Sequence, residues 1–97
     1  MAAAPNLNAP GGTAPLSISV ISPERTVYEG EADMVVAPAW DGEVGILRNH
    51  APMMVLLGEG DLRVRKGDRE ERFFIGGGFL QVVDNTITIM SEHAEAA

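Results

Sequence analysis

Over much of this chain the hydrophobic positions recur at every second residue. Leu16, Ile18 and Val20 alternate with Ser17 and Ser19; Leu62 and Val64 alternate with Arg63 and Arg65; Ile87 and Ile89 alternate with Thr86 and Thr88. A period of two puts successive side chains on opposite faces, so each segment predicts a strand with one buried and one solvated face. Denser apolar runs lie between them: MVVA at 34–37, MMVLL at 53–57, ERFFI at 71–75 and FLQVV at 79–83. Apolar on both faces, these read as strands covered on both sides, by a second sheet or by a partner. Turn signals recur at ~8–12 residues, the spacing of a sandwich or barrel. They are Ser22-Pro23-Glu24, Tyr28-Glu29-Gly30, Asp41-Gly42, Arg48-Asn49, Gly58-Glu59-Gly60, Lys66-Gly67-Asp68 and Asp84-Asn85. Lys66-Gly67-Asp68 and Asp84-Asn85 have hairpin chemistry. No segment carries a long helical face, and only the closing SEHAEAA offers a helix start. The pattern predicts an all-β chain, a small antiparallel β-sandwich.

At 97 residues the chain is one domain. Residues 1–15 are dominated by Ala, Pro, Gly and Asn around a single Leu7. Such a segment buries too little to offset its ordering entropy, so it predicts a disordered tail. The domain is expected over 16–92, with a short C-terminal end at 93–97. Fourteen acidic against seven basic residues give a net charge of −7, which argues against nucleic acid as a partner. The absence of cysteine excludes disulfides, thiolate nucleophiles and a zinc ribbon. The N-terminal stretch has no basic residue and no apolar core, so it is not a secretory signal. No apolar run approaches the ~20 residues that cross a bilayer, so at a membrane something else would have to hold this chain.

The residues supply no catalytic constellation. The only histidines are His50 and His93, and His93 is expected in a frayed end. The serines fall on wet strand faces or in turns, without a nucleophile elbow. His50 has Asp41 and Glu43 near it in sequence but no second histidine at ligand spacing. Gly76-Gly77-Gly78 lacks the Lys-Ser/Thr of a phosphate loop; a kink, a bulge or a close backbone approach explains it better. Glu70 and Glu71 point to opposite faces, and the basic run Arg63, Arg65, Lys66, Arg69 has no interleaved aromatics for base stacking. What stands out is Met34, Met53, Met54, Trp40 and Phe79, residue types suited to protein interfaces.

The motifs ISPERTVYEGEADMVVAPAWDGEVGIL, HAP, and GEGDLRVRKGDREERFFIGGGFLQVVDNTITIMSEHAE occur in one order and spacing. Together they resemble the epsilon subunit of F-type ATP synthase, from Leu16 to about Glu95. The resemblance implies a β-sandwich of about ten short strands. It implies a non-catalytic central-stalk (rotor) subunit that binds gamma and contacts the c-ring, coupling ion translocation to ATP synthesis, with the alpha/beta head reached indirectly. It implies no catalytic, cofactor-binding or metal-ligating residue. The expected location is the bacterial cytoplasmic face of the inner membrane, peripheral to it through the complex. DGEVGILRNHAP resembles a family segment whose acidic end lies toward the c-ring, which places Trp40, Asp41, Gly42 and Glu43 there. The turn with His50, Ala51 and Pro52, and the turn after the first strand, here Ser22, are implied to face gamma. Arg48-Asn49 stands where the family usually has Pro-Gly, and Trp40 replaces a smaller residue. The family often adds two C-terminal helices that inhibit ATP hydrolysis; a chain ending at Ala97 is expected to lack that brake. The competing reading is a β-sandwich protein-binding module of another assembly.

Overall fold

Alternation of the kind described above produces strands wherever a neighbour can accept the backbone hydrogen bonds. The computed structural model describes residues 14–97, and the expected tail lies outside them up to position 13. The strands are β1 (Leu16–Ile21), β2 (Thr26–Ala32), β3 (Met34–Ala39), β4 (Gly42–Leu47), β5 (Met53–Lys66), β6 (Arg69–Val83), β7 (Thr86–Met90) and β8 (Ala94–Ala96). They form one sheet in the order β2-β1-β7-β6-β5-β3-β4, with β8 added to β6.

The sheet folds over on itself along the β5–β6 hairpin. Residues 79–83 of β6 pair with β7, while 73–75 pair with β8. Along β5, 63–65 pair with the first half of β3. The inward side chains of both halves then meet in one core. Leu16, Ile18, Val20, Leu80, Val82, Ile87 and Ile89 from one half pack with Val35, Ala37, Ile46, Leu62, Val64, Phe73 and Ile75 from the other. Tyr28 of β2 and Phe73 of β6 bridge the halves, with ring centroids 5.0 Å apart. The expected β-sandwich is thus made from a single continuous sheet.

Eight strands replace the expected ten because β5 and β6, at 14 and 15 residues, each run through a place where two shorter strands were expected. Gly58-Glu59-Gly60 is therefore not a turn but part of β5, and Gly76-Gly77-Gly78 lies inside β6. Gly78 shows why glycine is required. Its φ is +113°, and an added Cβ would fall 2.0 Å from the Met90 carbonyl oxygen. Two backbones approach there more closely than any side chain permits.

Two further expectations change. Tyr28-Glu29-Gly30 lies within β2, and the chain bends at Asp33 instead. SEHAEAA does not start a helix: residues 94–96 form β8, whose register runs Phe73↔Ala96, Phe74↔Glu95 and Ile75↔Ala94. Hydrogen bonding by an open edge of β6 outweighs the helix propensity of Ala and Glu. The Ser91 hydroxyl donates to the His93 carbonyl at 2.8 Å, and that carbonyl also accepts from the Gly76 N–H at 2.8 Å. The sheet is antiparallel except for one pair, β1 with β7, which is parallel.

The hairpin turns follow the sequence chemistry. Gly67-Asp68 closes β5–β6, with Gly67 at φ +61°. Asp84 and Asn85, at φ +50° and +61°, close β6–β7 with Val83 opposite Thr86. Positive φ at both central residues is the type I′ geometry that matches strand twist.

Candidate functional site

Folding the sheet leaves two outer faces. On the face formed by β1, β7, the second half of β6 and the first half of β5, the outward residues fall into cross-strand rows. Leu56 lies opposite Phe79, Phe79 opposite Met90, and Met90 beside Ile21. The next row is Met54, Gln81, Thr88 and Ser19. Leu56 and Met54 are each 65% exposed and Met90 is 43% exposed. None of these eight residues is charged. Beside the apolar row, Ile21, Pro23, Phe79 and Met90 line a cleft of about 420 Å³ with Ser22, Ser91 and Glu92 at its edge.

Two turns bracket this face. At one end, Ser22-Pro23-Glu24-Arg25 links β1 to β2. Ser22 is nearly buried and its hydroxyl donates to the Arg25 carbonyl at 3.1 Å. The Ser22 N–H donates to the same carbonyl at 2.9 Å, and the Arg25 N–H returns a bond to the Ser22 carbonyl at 3.2 Å. Ser22 thus shapes the turn, while Pro23 and Glu24 present its surface. At the other end lies the β4–β5 turn. Asn49 sits at φ +68°, a left-handed conformation that Asn tolerates. His50 donates from Nδ1 to the Ala51 carbonyl at 2.8 Å, and Ala51 and Pro52 are exposed. The Ser22 turn and the His50 turn therefore sit at opposite ends of the face.

Trp40, Asp41, Gly42 and Glu43 form a separate projection, the tip of the β3–β4 hairpin. Ala39 pairs with Gly42, so Trp40 and Asp41 are the turn itself. The Trp40 N–H donates to the Leu56 carbonyl at 3.1 Å, which lays the tip across β5 beside Gly58. The Trp40 side chain is 71% exposed. Glu43 is exposed and sits 3.4 Å from Arg63 of β5. β4, six residues and ~20 Å long, runs from this tip to the His50 turn.

The second outer face is dominated by charge. Arg63, Arg65, Glu70 and Arg72 project from β5 and β6. Arg72 donates from Nε to Glu70 at 2.8 Å, and Arg65 approaches Glu70 at 3.7 Å. The Arg72 hydrogen bond, aided by the neighbouring arginines, holds the Glu70 carboxyl below its ordinary value of 4.5, and Glu70 in turn raises Arg72. Among the described residues no three His, Asp or Glu side chains converge as a metal site would need, and no helix is long and apolar enough to cross a membrane.

Of the residues singled out for interfaces in the sequence, Met54 and Trp40 are exposed, Phe79 is half-buried in the apolar row, and Met34 and Met53 are half-buried. Leu56, Met90, Ile21 and Pro23 had not been singled out. Of these only Leu56 carries a local signal, in MMVLL, a run apolar on both faces; Met90, Ile21 and Pro23 join it only through the strand register.

The ATP synthase delta/epsilon chain β-sandwich domain model matches residues 15–97. An ATP synthase epsilon chain of Leptospira borgpetersenii is 47% identical over 80% of this chain and 61% of its own. That of Caulobacter vibrioides is 45% identical over 87% of this chain and 98% of its own. The chain thus spans about three-fifths of the Leptospira relative and nearly all of the Caulobacter one. Among solved structures, a chain in the cryo-EM structure of the Euglena gracilis mitochondrial ATP synthase (OSCP/F1/c-ring) superposes with a TM-score of 0.79 at 22% identity. It covers 86% of this chain and 54% of that one. A chain of the Tetrahymena thermophila central stalk and c-ring gives 0.67 at 20% identity, covering 81% and 64%. At those identities the likeness speaks for the fold, and the sequence matches for the lineage: this chain belongs to the ATP synthase delta/epsilon chain β-sandwich family.

Proposed function

We propose that this chain is a non-catalytic central-stalk subunit of a rotary F-type ATP synthase, binding the gamma subunit and touching the c-ring. Beyond family membership, one observation carries the reading: a sheet face with an exposed apolar row whose outward residues on β5, β6, β7 and β1 are uncharged, charge beginning only at Glu29 and Glu31 of the edge strand β2. Leaving Leu56, Met54 and Met90 in water forgoes ~1.5–3 kcal/mol for each side chain that a partner could fully cover. Such a face suits a long-lived contact within an assembly, with apolar anchors inside a polar rim.

In this arrangement gamma covers the apolar face, gripped at its ends by the turn shaped by Ser22 and by the turn of His50, Ala51 and Pro52. The projecting tip of Trp40, Asp41, Gly42 and Glu43 meets the c-ring loops. Trp40 supplies contact area, and the two carboxylates act as rim charges that steer and register the contact. The subunit then joins two moving parts and transmits rotation without chemistry of its own. It is peripheral to the membrane through the complex, on the cytoplasmic face in a bacterial cell.

The test is a titration of the chain with purified gamma subunit by calorimetry, together with affinity purification from the source cell. Binding to gamma and recovery of gamma, alpha and beta subunits are expected. Recovery of a different assembly with no ATP synthase subunit would replace this reading by that of a binding module from elsewhere.

A further inference from the structure

The β4–β5 turn has a tie that neither its own strands nor the core supplies. The Asn49 N–H donates to Asn85 Oδ1 at 2.6 Å, and Asn85 Nδ2 donates back to Asn49 Oδ1 at 3.2 Å. The two residues are far apart in sequence and both hold positive φ, +68° and +61°. Asn85 is itself fixed: it occupies the second central position of the β6–β7 turn, and its carbonyl accepts from the Ser17 N–H at 2.8 Å. One half-buried residue therefore joins three segments: the start of β1, the β6–β7 turn and the turn leading into His50. Without the pair, no other described backbone bond outside the strands holds residues 48–52.

We propose that the Asn49–Asn85 amide clasp is a positioning device that fixes the His50 turn for docking, with Asn85 as the fixed half; this rests on the gamma-binding reading above. The physical reason is preorganisation. A turn already held in its bound geometry does not lose its freedom on binding, so affinity is higher for the same contacts. The clasp also accounts for Asn49. Asn supplies the left-handed backbone that glycine would, and adds a side chain that anchors the turn to the neighbouring hairpin.

The decisive variant is Asn85→Gly. It yields Asp-Gly, a favoured type I′ pair, so the hairpin keeps its turn while the amide is removed. Amide hydrogen exchange of the free chain and calorimetric titration with gamma are measured together. Expected are a loss of protection at the Asn49 N–H, roughly tenfold weaker gamma binding, as for two lost neutral hydrogen bonds partly offset by water, and a melting temperature within a few degrees of the parent. Asn85→Asp, which keeps the acceptor for the Asn49 N–H, is expected to retain most of the protection and bind within about threefold. Unchanged protection at Asn49 in Asn85→Gly would overturn the clasp. Lost protection with unchanged affinity would overturn its docking role. Failure of the parent chain to bind gamma would overturn the stalk reading and the docking role with it, while the exchange data still judge the clasp itself.

Discussion

The two outer faces are built from the same alternating strands, in places from different halves of the same strand, yet their chemistry diverges. The face of β1, β7, the Gly78-to-Val83 half of β6 and the first half of β5 presents Leu56, Phe79, Met90 and Ile21 in one row, and in the next no charge until Glu29 on the edge strand β2. The opposite face presents Arg63, Arg65, Glu70 and Arg72, with Glu43 drawn toward Arg63. A sheet needs only its inner face to be apolar. The charged face is what solvent selects, and on the reading proposed above the apolar face is what a partner selects. The difference separates the requirements of folding from those of assembly within one small domain.

The comparison can be broken most severely at the fold that creates both faces. Gly78→Ala places a methyl into the Met90 backbone at a φ that Ala resists. A loss of about 3 kcal/mol or more is expected, seen as a fall of at least about 12 °C in melting temperature. A charge in the apolar row sharpens it next. Leu56→Glu is expected to cost the free chain no more than about 0.5 kcal/mol, since Leu56 already faces water, but to weaken gamma binding about 100-fold by calorimetry. At the tip, Glu43→Lys sets a second cation beside Arg63 and opposite the proposed c-ring surface. Melting is expected to stay close to the parent and gamma binding to persist, while ATP-driven proton pumping in reconstituted vesicles falls severalfold.

The smallest effect belongs to the charged face. The folded Glu70 carboxyl lies below its ordinary 4.5, chiefly through the Arg72 hydrogen bond. Its contribution is therefore present in full above about pH 4.5 and is lost as pH falls through the lower folded value. Glu70→Gln is expected to melt slightly below the parent at pH 7, and the gap should close on acidification in thermal melts taken between pH 7 and 2.

How much of this was legible in sequence depended on whether the deciding interaction was local. Asp84-Asn85 and Gly67-Asp68 were readable because a two-residue turn is set by the φ preferences of its own residues. Gly58-Glu59-Gly60 misled because glycine marks both a turn and a strand over which another backbone passes, and here Trp40 and Ala39 lie against Gly58. β8 was unreadable, since Ala94-Glu95-Ala96 favours helix and becomes strand only through β6. The tip at Trp40–Glu43 was visible from motif and turn chemistry together. The apolar row was not, because Leu56, Phe79, Met90 and Ile21 meet only after β5, β6, β7 and β1 have found their register. The Asn49–Asn85 clasp was hidden for the same reason.

The single parallel pair has a consequence for how the chain is made. β5 and β6 can zip from a two-residue turn, but β1 must wait for β7, whose register joins Ser17 to Thr86 near the far end of the domain. That closure carries the largest loop entropy in the fold and contributes most to its contact order. On a ribosome adding ~5–20 residues per second, β1 and β2 emerge several seconds before the strand that completes their sheet. For that interval the inner face of β1, with Leu16, Ile18 and Val20, lacks the part of its core that β7 supplies, Ile87 and Ile89. The domain therefore commits to its final topology only after β7 has been made.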